Sequence, residues 1–296
     1  MGQIYGIMGH QILKSANSTM PPRPKRVALS TQIVKANALV EASYRLSLVE
    51  KQVILLAVAQ IGQRQDVTEK TPFTISARDL IDTFKTNATN AYGQLEAAVE
   101  QLANRWVTID RPDPDDPDLE RTKTRWVQAI DYKPGKGTLR LYFAFKVLPY
   151  LTRLSKEFTQ YRLQNTAGMT SVYAVRIYEL LMQWKSKGEV EVELDWLRST
   201  FELPPSYSGI SDLKKRVIKP AVEQINKHSD LWVKSDQRKS GRNVVALTFT
   251  FGPKSEKNPD PEKPVPKKRM TTEEMARLAK PGESWEELKR RLGIRR

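Results

Sequence analysis

The stretch SDLKKRVIKPAVEQIN at 211–226 holds the densest chemistry in this chain. Read as a helix, it sets Leu213, Val217, Ile218, Ala221, Val222 and Ile225 on one side and Lys215, Arg216 and Lys219 on the other. A recognition helix of the helix-turn-helix type presents such a face to the major groove of DNA. Lys214 falls toward the apolar side, yet near enough to the helix start to reach a phosphate, and Ser211 stands just ahead of it. Arg216 carries the planar fork that reads guanine with two hydrogen bonds, whereas the lysines suit phosphates. A second basic cluster, QRKSGR at 237–242, puts Arg238, Lys239 and Arg242 at a turn within reach of an adjacent phosphate or minor groove. The competing reading is a solvated helix face with no ligand.

Other chemistry is poorly supplied. The two histidines, His10 and His228, are far apart in sequence, and there is no cysteine, so neither a paired-histidine metal site nor a histidine-based triad can be assembled. Asp113, Asp115, Asp116 and Asp118 crowd one loop but lack the glycine and distal glutamate of a calcium-binding EF-hand. PGKGT at 134–138 has the wrong spacing for a phosphate-binding loop and is followed by an alternating strand, so it reads as a ribbon turn. No metal and no cofactor are expected. An aspartate-only metal nuclease stays open as an alternative.

The elements that must position the basic helix emerge from an internal repeat. LIDTF at 80–84 matches LRSTF at 197–201, AVEQL at 98–102 matches AVEQI at 221–225, and Trp106-Val107 matches Trp232-Val233, in the same order. Each copy spells a short strand, a helix ending at Phe84 or Phe201, a polar turn, the AVEQ helix and a strand opened by Trp-Val. A second strand alternates through Leu139, Leu141, Phe143 and Phe145 in the first copy and Val245, Leu247, Phe249 and Phe251 in the second. Helix, turn, helix and two-stranded ribbon together make a winged helix, so the fold class is α+β with two tandem winged-helix domains. Expected boundaries are a flexible arm over 1–29, a first domain over 30–155, a second over 156–252, and a charged linker with a short helical tail over 253–296.

Within this frame the copies differ. The first offers Asn90, Tyr92, Gly93 and Glu96 in place of a basic helix face, and its ribbon loop is expected to contain the acidic DRPDPDDPDLERTKTR, which would repel DNA. Pro220 interrupts the second copy's helix, where a proline costs about 3 kcal/mol. Either it kinks the helix between its groove-facing and core-packing halves, or it opens a fresh helix at little cost. The unbroken QLEAAVEQL of the first copy favours the kink.

Composition agrees with a polyanionic partner: 49 Lys+Arg against 34 Asp+Glu leave +15 in 296 residues. A cysteine-free chain is compatible with a reducing cytoplasm. The first twenty residues do not read as a signal peptide, Met20 is an alternative start, and VILLAVA at 53–59 is too short to cross a bilayer. VKANALVEASYRLSLVEKQVILLAVAQI is expected to form a helix buried on more than one side, and MTSVYAVRIYELLMQW a helix with Tyr173, Ile177, Leu180 and Trp184 on one face that opens the second domain. After Gly252 comes PKSEKNPDPEKPVPKKR, then two capping boxes, Thr271 with Glu274 and Ser284 with Glu287.

With these segments in view, the chain resembles the bacterial plasmid replication initiators typified by the F-plasmid initiator and the π protein. The resemblance spans about residues 33–252, and its most specific part is the Ser-x-Tyr-Ala-x-Arg-x-Tyr-Glu-Leu-Leu run at 171–181. It implies a two-domain monomer bound along a direct DNA repeat, an iteron, with the helix ahead of Pro220 as main reader. It also implies opening of an AT-rich origin segment, recruitment of the host initiator ATPase and replicative helicase, dimers formed through the first domain, and autorepression by those dimers. A transcriptional regulator without initiator activity would use the same domains.

Overall fold

The computed structural model describes residues 27–62, 66–112, 116, 118–133, 135–152 and 157–254. The arm and tail expected over 1–29 and 253–296 lie outside the described residues except at 27–29 and 253–254, as do His10, Met20, Asp113, Asp115 and both C-terminal capping boxes.

The chain enters through β1 (Gln32–Ala36), α1 (Asn37–Val40) and α2 (Leu48–Ile61). Ser47 and Glu50 form a capping box at the start of α2, the Ser47 amide donating to the Glu50 carboxylate at 2.7 Å and the Glu50 amide to the Ser47 hydroxyl at 3.3 Å. Every residue from Glu50 to Ile61 is buried, as a helix apolar around its circumference requires. The helix begins at Leu48, later than the run of apolar spacing suggests, because Ser47 satisfies the free amides there.

The first copy then runs β2 (Phe73–Ser76), α3 (Ala77–Phe84), α4 (Ala91–Ala103), β3 (Trp106–Asp110), β4 (Arg121–Arg125), β5 (Val127–Lys133) and β6 (Thr138–Phe143). After α5 (Pro149–Thr152), β7 (Phe158–Arg162), α6 (Gln164–Ala167) and α7 (Val172–Gln183), the second copy runs β8 (Glu189–Glu193), α8 (Leu194–Thr200), α9 (Ile210–Leu213), a π-helical stretch Lys214–Ile218, α10 (Lys219–His228), β9 (Leu231–Ser240) and β10 (Asn243–Pro253). Both copies are winged helices, and their interiors correspond residue by residue. Leu80, Thr83 and Phe84 are buried at the positions of Leu197, Thr200 and Phe201, and Ala98 and Leu102 at those of Ala221 and Ile225.

The sheets extend the match and correct one part of it. The order β2-β6-β5 in the first copy parallels β8-β10-β9 in the second. Val127 pairs with Phe143 as Val233 pairs with Phe251, and Ile75 pairs with Leu139 as Val192 pairs with Leu247. The counterpart of Trp232-Val233 is therefore Trp126-Val127, not Trp106-Val107. Trp106 opens β3, which pairs with β4 in a separate two-stranded ribbon that the second copy lacks. Phe145 lies beyond β6 and is 63% exposed, and in β10 a bulge between Val244 and Ala246 takes Val245 out of the alternation.

Nine consecutive residues of α7, Ala174 to Met182, are buried, so the helix has no single apolar face. Among them are Arg176 and Glu179, which tie distant parts of the chain together. Lys35 of β1 and Lys51 of α2 both donate to the Glu179 carboxylate, Lys51 at 2.8 Å, and the Tyr161 hydroxyl of β7 donates at 2.6 Å. Arg176 donates to the carbonyls of Ala42 at 2.8 Å, Tyr44 at 2.7 Å and Thr200 at 3.0 Å, its guanidinium lying between the rings of Tyr44 and Phe201. Tyr178 donates to Asp230 at 2.8 Å. α7 thus holds groups from the entering segment β1–α2, from β7 and from the second copy.

Candidate nucleic-acid interface

Lys214, Lys215, Arg216 and Lys219 of the second copy's helix are all exposed, while Leu213, Val217, Ile218, Ala221 and Ile225 beneath them are buried. The expected position of Lys214 on the apolar side is not what the fold adopts. Its ammonium reaches across to Gln237 of β9 at 2.9 Å, linking helix to wing. The cause is the backbone. From Lys214 to Ile218 the helix is π, with the Lys219 amide bonded to the Lys214 carbonyl five residues back. Leu213 and Ile218 would stand about 140° apart on an α-helix, and the wider turn lets both face the core.

The same turn bears on Pro220. Its ring would crowd the carbonyl of Arg216 in a regular helix and it has no amide to donate. The backbone stays helical through the proline, and its departure from α geometry lies in the turn before it. Pro220 stands in the first turn of α10, as the fresh-helix reading has it, and α10 follows the widened Lys214–Ile218 turn without a break. Arg216 lies 3.4 Å from Asp212 and Lys219 lies 3.8 Å from Glu223, surface pairs that leave both cations more than 60% exposed. Ser211 is exposed one turn earlier, and an open cleft runs from Ser211 and Lys215 to Gln237 on β9.

The wing turns at Gly241, whose φ of 62° is the left-handed conformation that glycine adopts without strain. Lys239 and Arg242 flank it, exposed. Arg238 stands apart from them: it bonds to Glu191 at 2.8 Å and to Glu193, both on β8. The structure thus brings Ser211, Lys214, Lys215 and Lys219 to one cleft, leaves Arg216, Lys239 and Arg242 exposed, and engages Arg238 with carboxylates.

In the first copy Asn90 is exposed at the start of α4, its side chain folded over Gly93, where an added Cβ would come within 2.5 Å of the Asn90 Oδ1. Tyr92 is half-buried. The first wing differs from its expected form. The acidic segment belongs to the β3–β4 connection, and the turn equivalent to Ser240–Arg242 is the one between β5 and β6. That turn holds Lys133 and Lys136, with Arg140 on β6, so it is basic. Partial burial and the neighbouring Arg140 and Lys136 push the Lys133 ammonium below its ordinary value. Sequence reading missed these residues because it matched the wrong Trp-Val; PGKGT as a ribbon turn was the available signal.

The interior has its own electrostatics. Burial alone would raise Glu179, but Lys35 and Lys51 hold it down to about 2. Burial lowers Lys35 to about 8 despite that partner. Both directions follow from one carboxylate shared by two ammonium groups in a dry site. Among the described residues no group of three or more His, Asp or Glu side chains could hold a metal ion, and no helix is long and apolar enough to cross a membrane.

Known proteins are similar to this chain. An uncharacterized 27.6 kDa protein of Escherichia coli is 26% identical over 226 residues, covering 73% of this chain and 93% of the relative. A replication initiation protein of Escherichia coli is 29% identical over 224 residues, covering 73% of this chain and 68% of the relative. The crystal structure of the Pi initiator protein in complex with iteron DNA is similar in fold, with a TM-score of 0.64 at 22% identity, over 78% of this chain and 100% of that one. The family model for the first winged-helix domain of initiator replication proteins matches residues 32–182, and the model for the second matches 193–251. The chain belongs to the initiator replication protein family.

Proposed function

We propose that this protein initiates plasmid replication by binding direct-repeat duplex DNA, the iterons of an origin, through both winged-helix domains, with residues 30–155 as the first domain and 156–252 as the second. The observation that carries the reading is the outward row Lys214, Lys215, Arg216 and Lys219, standing on a buried apolar face and continued by Lys239 and Arg242 on the wing. The helix enters the major groove and the wing tip meets the flanking phosphates. Asn90, Tyr92 and the cations Lys133, Lys136 and Arg140 make an auxiliary contact in the first domain. The relative named for replication initiation and the fold shared with an iteron-bound initiator support the choice of DNA and of repeat. In this reading several bound monomers promote opening of an AT-rich segment and recruit the host initiator ATPase and helicase. Dimers formed through the first domain repress the gene, and the protein acts in the bacterial cytoplasm without catalysing a reaction.

The test is binding to the tandem repeats beside its own gene, followed by fluorescence anisotropy from low to high salt. Two docked domains neutralising about six to eight phosphates give a log–log salt slope of roughly −5 to −7. Equal affinity for repeat and scrambled duplexes, or a slope near −1, would sink the proposal.

A further inference from the structure

The wing leaves its sheet at a definable point. β8 ends at Glu193, which pairs with Ala246 of β10, and Ala246 pairs on its other side with Arg238 of β9. Beyond this row only β9 and β10 continue, as a two-stranded ribbon, and the bulge between Val244 and Ala246 sits at its root. Bulges bend a ribbon and change where its end points. Glu193, Ala246 and Arg238 share the sheet's outer face, as do Glu191, Thr248 and Asp236 in the next row. The small central residues let Arg238 reach over β10 to the strand beyond, bonding Glu191 at 2.8 Å and also Glu193. Ala246 beneath is fully buried although it lies on the outer face, as an aliphatic arginine stem laid over it requires.

We propose that Arg238 is a positioning residue that fixes the direction of the second wing by strapping β9 to β8 at the bulge, and that it is not a phosphate contact. The inference rests on the DNA-binding reading above and refines it. Its consequence is a division of labour within one cluster: Lys239 and Arg242 beyond the strap neutralise phosphate, while Arg238 holds the ribbon that carries them.

Salt dependence separates the two roles. Each lost phosphate contact lowers the magnitude of the log–log slope by about one, whereas a loosened wing weakens binding without removing a counterion. Lys239→Ala is expected to lower the slope, Arg238→Ala to weaken binding with the slope unchanged. In the free protein, hydrogen exchange of the Gly241–Val244 amides is expected to rise about ten-fold in Arg238→Ala and equally in the Glu191→Gln/Glu193→Gln double variant, because either change opens the strap. A slope reduced by about one in Arg238→Ala, or made steeper by one when the two glutamates are neutralised, would mark Arg238 as a phosphate contact and overturn the proposal. If Lys239→Ala changes neither affinity nor slope, the failure lies in the reading of the wing as a DNA contact.

Discussion

On one winged-helix frame, the second copy turns Lys214, Lys215, Arg216 and Lys219 outward from its basic helix, while the first copy sets Asn90 at the start of α4 and Tyr92, Glu96 and Glu100 along it. Beneath these faces the same positions are buried: Leu80 with Leu197, Phe84 with Phe201, Leu102 with Ile225. The wings are more alike than the helices, since Lys133 and Lys136 occupy the first turn as Lys239 and Arg242 occupy the second. The fold is therefore specified by the interior in both copies, and the interaction chemistry is written separately on the surface. In the proposed reading, the uneven helices would give sequence reading to the second copy, and the two basic wings would share backbone contact between both.

The strongest challenge to this comparison removes the common support. Glu179→Gln leaves Lys35 and Lys51 buried around a neutral amide, and breaking a buried ion pair from one side costs about 3–5 kcal/mol. Urea denaturation is expected to register that loss, with DNA binding by both domains failing at the same denaturant concentration; a loss below about 1 kcal/mol would mean the site relaxes or hydrates. The parent protein carries a related pH signature. Folded Glu179 stays ionised down to about 2, whereas the unfolded chain takes up the proton near the ordinary value of about 4.3, so the unfolded state binds more protons between them. This contribution is complete above about 4.3 and drains away as pH falls toward 2, and denaturation across that window is expected to show the component in the parent and not in Glu179→Gln.

Arg216→Ala tests whether the second helix reads sequence. It is expected to cost about 1–3 kcal/mol in repeat affinity and to relax preference at one base pair, measured on a panel of single-substituted repeats. An even loss across the panel would move Arg216 from base to backbone. Pro220→Ala probes the turn beneath it. Restoring an amide donor lets the π-helical turn revert to α geometry and rotate the basic residues, so repeat affinity is expected to fall by about 1 kcal/mol while non-specific binding holds. Unchanged repeat affinity would detach the widened turn from recognition. The smallest effect belongs to the first wing, where Lys133→Ala with Lys136→Ala is expected to weaken all duplexes about equally and lower the salt slope by about two. No change there would confine DNA contact to the second copy.

Much of this was legible in the sequence, for a physical reason. LIDTF and LRSTF place leucine, threonine and phenylalanine where the same packing demands them, so local pattern and three-dimensional position coincide. Trp-Val failed as a marker because the first copy holds two such pairs, and only strand register distinguishes β5 from the added β3–β4 ribbon. Charge counts found Arg238 but not Glu191 and Glu193, which lie two strands away in the sheet. The lysine partners of Glu179, at 144 and 128 residues' separation, left no local signature. The helix from Ser171, the most specific part of the family resemblance, is an interior tie between the entering segment β1–α2, β7 and the second copy, with its arginine, tyrosine and glutamate directed to protein groups.

Lys35 and Lys51 give that tie a chemical readout. Both amines are enclosed, at 2% and 1% exposure, so amine-directed acylating reagents cannot reach them while α7 holds its place. Lys214, Lys215 and Lys219 stand open to the same reagents. A timed labelling experiment on the unmodified protein therefore contains two clocks: the surface lysines record reagent chemistry, and Lys35 and Lys51 record how often the molecule opens around Glu179. Any event that lifts α7 away from β1 and α2 would first appear as acylation at these two positions.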